Sequence, residues 1–246
     1  YHALLMKFER RFSGGFTFLS SYTWSKLIDD VPPTTTGFPG ESFAGGTLQN
    51  YNDRTQERAL ATFDTPHQLV ISSVWELPFG TGRRWLSTKG PLRGVLGGWQ
   101  MNGIVSVQSG PPMQIVGGNS ANSFSGTHRP NWTGKNATLS GRVEDRLNHY
   151  FDTTQFSDNV LFAYGNAPRI MPNLRGPGLR NLDMSLFRTV RVREKLNLQF
   201  RCEAFNLLNT PQFGIPNSNV DSTNFGVITS QRNSPRDFQL ALKLLF

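Results

Sequence analysis

The stretch Arg236-Asp-Phe-Gln-Leu-Ala-Leu-Lys-Leu-Leu-Phe246 decides how the rest of the chain is read. Phe238, Leu240, Leu242, Leu244 and Phe246 share one face of a strand of period two, and Asp237, Gln239, Ala241 and Lys243 share the other. One face is apolar and the opposite face is wet. A tilted strand of about 11 residues is what the hydrocarbon layer of a bilayer requires of a transmembrane β-strand.

The same alternation recurs upstream. Residues 1–13 set Leu4, Met6, Phe8 and Phe12 against Ala3, Lys7, Glu9 and Arg11. Ser13-Gly14-Gly15 then supplies a tight turn, because glycine accepts the positive φ that hairpin turns demand. Residues 16–26 answer with Phe16, Phe18, Tyr22 and Trp24 against Thr17, Ser21, Thr23 and Ser25. Further strands are expected over residues 67–77 (Leu69, Ile71, Trp75), 98–109 (Trp99, Met101, Val105, Val107), 181–190 (Leu182, Met184, Leu186) and 195–206 (Leu196, Leu198, Phe200, Cys202, Ala204). The expected fold is all-β: an antiparallel transmembrane β-barrel segment of about seven long strands.

The connections support that reading. They are short after the first and fifth strands and long at residues 27–66, 110–180 and 207–235, where Pro, Gly, Asn and Ser gather without a sustained period. Turn signals in the first of these include Pro32-Pro33, Gly37, Pro39-Gly40 and Gly45-Gly46. Structureless loops far beyond roughly 15 residues argue against a compact soluble domain, yet they are ordinary on the outside of an outer-membrane barrel. With the C-terminus periplasmic, every long loop falls outside the cell. Residues 78–97 are intermediate in length and break the rule of short periplasmic turns.

Composition agrees. A mean hydropathy of −0.38 with 12% aromatic residues is too polar for a helical membrane protein. The longest apolar run, residues 160–164, falls far below the roughly 18 residues a spanning helix needs. Alternating strands permit spanning at low average hydropathy. The formal charge of +8 is spread over strand faces and loops, so no nucleic-acid partner is expected. The single cysteine, Cys202, excludes internal disulfides and a cysteine-based zinc site. Tyr1 opens inside an alternating pattern, without Met, basic leader or apolar core, so residues 1–246 are expected to be a C-terminal fragment lacking upstream strands. An odd strand count points the same way, unless one more strand hides in a loop.

Aromatic placement is a second check, because barrels carry aromatic girdles at both water interfaces. Phe12, Phe16, Trp75, Trp99 and Phe246 fall near the periplasmic rim, and Tyr22 and Trp24 near the outer rim, all on the apolar register. Arg10 shares that register and is expected to snorkel. On the other face Lys7, Glu9, Arg11, Glu76, Asp183, Arg201, Glu203 and Lys243 are expected to form cross-strand charge pairs.

Catalytic chemistry finds no support. His2, His67, His128 and His149 have no metal-ligand spacing, and neither a nucleophile elbow nor a phosphate-cradling glycine loop is present. Neither an enzyme nor a cofactor is expected. Residues 217–221 (Asn-Ser-Asn-Val-Asp) hint at a calcium loop, but Ser222 and Ile228 stand where the turn glycine and bidentate Glu belong, so Asx turns are the reading.

Several segments taken in order resemble a known family. Glu9-Arg-Arg-Phe-Ser-Gly-Gly-Phe16 with Ser21-Tyr-Thr-Trp-Ser-Lys26, Phe63-Asp-Thr-Pro-His-Gln-Leu69, Glu76-Leu-Pro-Phe-Gly80, Leu96-Gly-Gly-Trp-Gln100, Asn181-Leu-Asp-Met-Ser-Leu-Phe187 and Phe200-Arg-Cys-Glu-Ala-Phe-Asn-Leu-Leu-Asn209 are similar to the C-terminal barrel of TonB-dependent receptors. The resemblance is to the Oar-like group, whose members carry a carboxypeptidase-regulatory-like domain upstream. It fades over residues 113–166. It implies a plugged 22-stranded barrel that imports a scarce small ligand with energy delivered through TonB, which contacts a plug region absent from this chain. The closing Phe238, Leu240, Leu242, Leu244 and Phe246 resemble the signal by which the barrel-assembly machinery recognises outer-membrane proteins. The expected partners are therefore outer-membrane lipid, that machinery, TonB and an unidentified ligand. Two other readings compete: a structural or adhesive surface barrel, and a soluble secreted carbohydrate-binding β-sandwich.

Overall fold

A computed structural model describes residues 1–30, 48–50, 52–80, 82–85, 90–118, 128–194 and 196–246. In chain order the elements are β1 (His2–Ser13), β2 (Phe16–Lys26), β3 (Ile28–Asp29), β4 (Ala59–Leu60), β5 (His67–Glu76), α1 (Pro91–Leu96), β6 (Trp99–Gln108), β7 (Asn131–Trp132), β8 (Phe156–Ser157), β9 (Leu179–Arg193), β10 (Leu196–Phe205) and β11 (Asp237–Leu245). The long strands form one antiparallel sheet of 7 in the order β1-β2-β5-β6-β9-β10-β11. It is a meander: every strand pairs with its predecessor among the long strands. The short strands form separate pairs, β3 with β4 and β7 with β8, so within the described residues no hidden strand joins the sheet. The sheet is open, and β1 and β11 are its edges.

The apolar registers inferred strand by strand prove to be one continuous face. Phe16 lies opposite Trp75, Trp75 opposite Met101, Met101 opposite Leu186, Leu186 opposite Cys202, and Cys202 opposite Leu240. Directly paired residues in an antiparallel ladder point to the same side, so one slipped register would have broken this row. None does. Phe8 remains 65% exposed and Leu242 67% exposed, and the described residues provide no second layer to cover them. An apolar face of this extent, bare of protein, calls for lipid as its solvent.

The hairpin turn follows from its glycines. Gly14 and Gly15 take φ of 62° and 83°, and Glu76 donates its backbone N–H to the Gly15 carbonyl at 2.7 Å, tying the turn to β5. The described residues of the intermediate connection 78–97 carry structure of their own. They contain α1 and a bridge between Phe79 and Trp85, whose rings lie 5.5 Å apart. The Trp99 indole and the Arg188 guanidinium both donate to the Val95 carbonyl at 2.8 Å, which docks the end of α1 on the sheet.

Some expectations are corrected. β9 runs to 15 residues, longer than the segment 181–190 that periodicity marked: Phe187 and Arg188 invert the two faces and interrupt the period, beyond which Val190 and Val192 resume the apolar register. Among the described residues the polar face shows no cross-strand charge ladder. Its ion pairs run along single strands, Lys7 with Glu9 at 3.0 Å, Arg11 with Glu9 at 3.6 Å and Arg201 with Glu203 at 3.9 Å, or into a connection, Glu76 with Arg83. The register explains this, since Glu9 faces Leu19, Arg201 faces Ala241 and Lys243 faces Gln199. Asp183 instead accepts the backbone N–H of Asn206 at 2.8 Å. The turn signals at Pro32, Pro33, Gly37, Pro39, Gly40, Gly45 and Gly46, and Lys195 at the start of one expected strand, lie outside the described residues.

Candidate functional site

All three long connections leave the sheet at the same end, and there they fold together into a cap. The buried hydrophobic cluster of the molecule lies in this cap, not in the sheet: Met113, Ile115, Tyr150, Phe151, Phe156 and Ile228 belong to it. Phe151 meets Phe156 and Phe225 edge to face, at centroid distances of 6.0 and 5.2 Å. The segment 110–178, whose sequence reads as a polar loop, thus supplies most of a packed core.

Ion pairs stitch the first connection to the second. Arg129 pairs with Glu57, with both side chains almost wholly buried. Arg169 pairs with Asp29, and its Nε donates to the Glu57 carbonyl at 2.7 Å. Arg175 donates to Asp64 Oδ2 at 2.5 Å, to the Asp64 carbonyl at 3.0 Å and to the Gly110 carbonyl at 3.2 Å. Buried charges of this kind need hydrogen bonds to complete them, and backbone carbonyls do so for the three guanidiniums, while Glu57 Oε2 is buried without a hydrogen-bond partner. Burial pulls the Arg129 pKa below its ordinary value, while the adjacent Glu57 carboxylate works against that fall.

Neutral groups complete the joint. Gln49 Nε2 donates to the Gly165 carbonyl at 3.0 Å, and its Oε1 accepts the Arg129 backbone N–H at 2.7 Å. A Cβ on Gly165 would fall 2.0 Å from the Arg129 carbonyl oxygen, so the two backbones meet only because that residue is glycine. Tyr150 donates its hydroxyl to the Arg175 carbonyl at 2.9 Å, and burial raises its pKa. In the third connection Asn217 Oδ1 accepts from the Asn219 N–H at 2.9 Å and Asn219 Oδ1 from the Asp221 N–H at 3.0 Å. These are the Asx turns that the sequence pattern suggested, with the oxygens committed to backbone amides. Beyond this cap tip the polypeptide exposes Val160, Leu161 and Phe162.

The sequence-marked aromatics separate into two groups. Tyr22 and Trp24 stand at the cap end, Tyr22 with its hydroxyl 2.8 Å from His67 Nδ1 and Trp24 opposite His67 in the ladder. Phe12, Phe16, Trp75 and Trp99 stand at the turn end, where Phe16 and Trp75 are register partners and Trp99 meets Phe200 edge to face at 5.8 Å. Arg10 places its guanidinium 5.7 Å from the Phe16 ring centre and Arg188 sits 5.8 Å from that of Trp99. Phe238, Leu240, Leu242 and Leu244 line one face of β11, and Phe246 follows it fully exposed.

Sequence reasoning did not find Glu57, Asp29, Asp64, Gln49, Arg129 and Arg169. Their contacts join residues 72 to 140 positions apart, and no local pattern signals such partners.

A meander of long antiparallel strands with one bare apolar face, two rims of aromatics and all long connections at one end defines a membrane-spanning β-barrel protein. Residues 1–239 match the model of the outer membrane beta barrel domain family, and the chain belongs to that family. It is accordingly a protein of the outer membrane. No curated protein and no solved structure matches it.

Proposed function

We propose that this barrel is the membrane portion of a TonB-dependent receptor of the Oar-like group, which captures a small ligand at the cell surface for energised uptake. The carrying observation is the cap. In its described residues the second and third connections share one core and ion pairs tie the first to the second, which makes a prebuilt surface rather than three independent loops. Binding by an already ordered surface avoids the entropic cost of ordering loops at capture. The order of segments similar to that family over nearly all the strands supports the same reading. Its mechanism is binding followed by rearrangement of a plug, with no covalent step. The aromatic rims seat the barrel in the bilayer, and the β11 face ending in Phe246 serves as the assembly signal.

The test is titration of the full-length gene product, purified in detergent, with the periplasmic domain of TonB. Saturable micromolar binding, strengthened by extracts containing the ligand, is expected. Failure to bind TonB removes the uptake reading and leaves a surface barrel with a structural or adhesive role.

A further inference from the structure

The bare apolar face is not smooth at the cap end. A recess of about 1060 Å³ opens there. Its floor includes Leu69 and Val107, which face one another in the ladder and belong to the lipid-facing register. Tyr22 and Arg180 flank them in the same row, Tyr22 opposite Leu69 and Arg180 opposite Val107. Its roof is formed by residues 141–144 and 210–213 of the cap, so the cap overhangs the outside of the sheet at this rim.

The charges lining the recess are unequal: Arg142, Arg175 and Arg180 against the single carboxylate of Glu144. Arg175 is engaged by Asp64. Arg142 reaches Glu144 at 3.4 Å with its side chain 77% exposed, and Arg180 is exposed on β9 itself. Arg142, Glu144 and Arg180 line the same recess, and the Glu144 carboxyl lies below the usual range, chiefly through its own backbone N–H and then through Arg142 and Arg180. The Tyr22 hydroxyl and His67 hydrogen-bond at the same level.

We infer that this recess binds a phosphorylated lipid of the outer leaflet, with its acyl chains along Leu69 and Val107 and its phosphate between Arg142 and Arg180. The floor lies on the face that meets hydrocarbon, so the occupant must be an amphiphile rather than a dissolved anion. The head must be acidic, because the exposed cations stand at headgroup height and guanidinium matches phosphate with paired, charge-assisted hydrogen bonds. Glu144 is the internal competitor for Arg142.

The full-length protein, purified from the outer membrane in zwitterionic detergent, is incubated with equimolar phosphatidic acid and phosphatidylcholine, and bound lipid is counted by native mass spectrometry. Retention of phosphatidic acid over phosphatidylcholine by about fivefold or more is expected from charge-assisted contacts to the two arginines. The Arg142→Ser/Arg180→Ser pair is expected to bring that ratio near one while the barrel keeps its heat-modifiable mobility on gels. Should that variant fail to assemble, Glu144→Gln decides: it leaves both arginines and is expected to raise the ratio. The proposal is overturned by equal retention of the two lipids, by a ratio that survives loss of both arginines, by a Glu144→Gln ratio at or below that of the parent, or by displacement of the lipid with millimolar inorganic phosphate, which would mark a site for a free anion.

Discussion

Arg129 and Glu57 form an ion pair across 72 residues of sequence, with 4% and 2% of their side chains exposed, and so join the first and second long connections inside the cap. Removing one member strands the other charge in a dry setting, which typically costs about 3–5 kcal/mol. Glu57→Ala and Arg129→Ala should each open the cap to protease while the sheet stays intact. The double variant should lose less than the sum of the singles, by about 0.5–3 kcal/mol. Additive losses in protease-monitored denaturation would show that the two residues act separately.

Ile71 and Val105 are register partners between the two aromatic rims, where the hydrocarbon layer is deepest. Arginine at Val105 should therefore destabilise the barrel by about 2–4 kcal/mol, whereas arginine at Ser106, one residue along and on the polar face, should cost about 1 kcal/mol or less. Urea unfolding in lipid vesicles separates the two. Equal penalties would mean that both faces meet the same medium.

Phe246 ends the apolar row of β11 and is in full contact with solvent, so its side chain contributes no packing to this fold. Phe246→Ala should leave the thermal stability of the assembled barrel unchanged and reduce the amount that reaches the outer membrane. Fractionation of membranes followed by gel mobility measures this. Unchanged surface yield would remove the assembly role given to that residue.

The cap should be stable over a window of pH bounded by two groups. Asp152 accepts from the Thr154 hydroxyl at 2.6 Å, from Gln155 Nε2 at 2.7 Å and from the Thr154 N–H at 3.0 Å, and these bonds hold its carboxyl below the ordinary 3.8. Its stabilisation is present above that value and is lost as pH falls through the lowered folded pKa. Tyr150 has a pKa raised above 10.0 by burial, so its contribution is complete below that value and is lost as pH rises through the raised one. Tyr150→Phe should remove the alkaline edge and leave the acid edge in place. Near-ultraviolet circular dichroism against pH reports both edges.

The sheet was largely legible in the sequence and the cap was not. Period two in each strand, Gly14-Gly15 at the first turn and the parity of long and short connections set the strand order and the apolar face, because these signals are local. β9 extends past the expected segment because Phe187 and Arg188 invert the alternation, and α1 is a helix of only 6 residues, too short to leave a periodic signal. In the cap, structure comes from contacts between distant residues. Nothing near Gln49 in sequence foretells that it bridges Gly165 and Arg129, and the loop composition of 110–178 conceals Phe151 and Ile170, both almost completely buried. The polar face shows the reverse error, since proximity on one strand won over the expected pairing between strands.

The contact between Gly165 and the Arg129 backbone sets where the cell surface of this protein is free to vary. A peptide tag or a lengthening mutation between residues 160 and 163 adds chain to a tip that touches water, and the molecule should absorb it. The same addition a few positions later would pry apart the seam at Gln49, and with it the whole exterior. Drift and engineering alike are thereby channelled to narrow crests between seams.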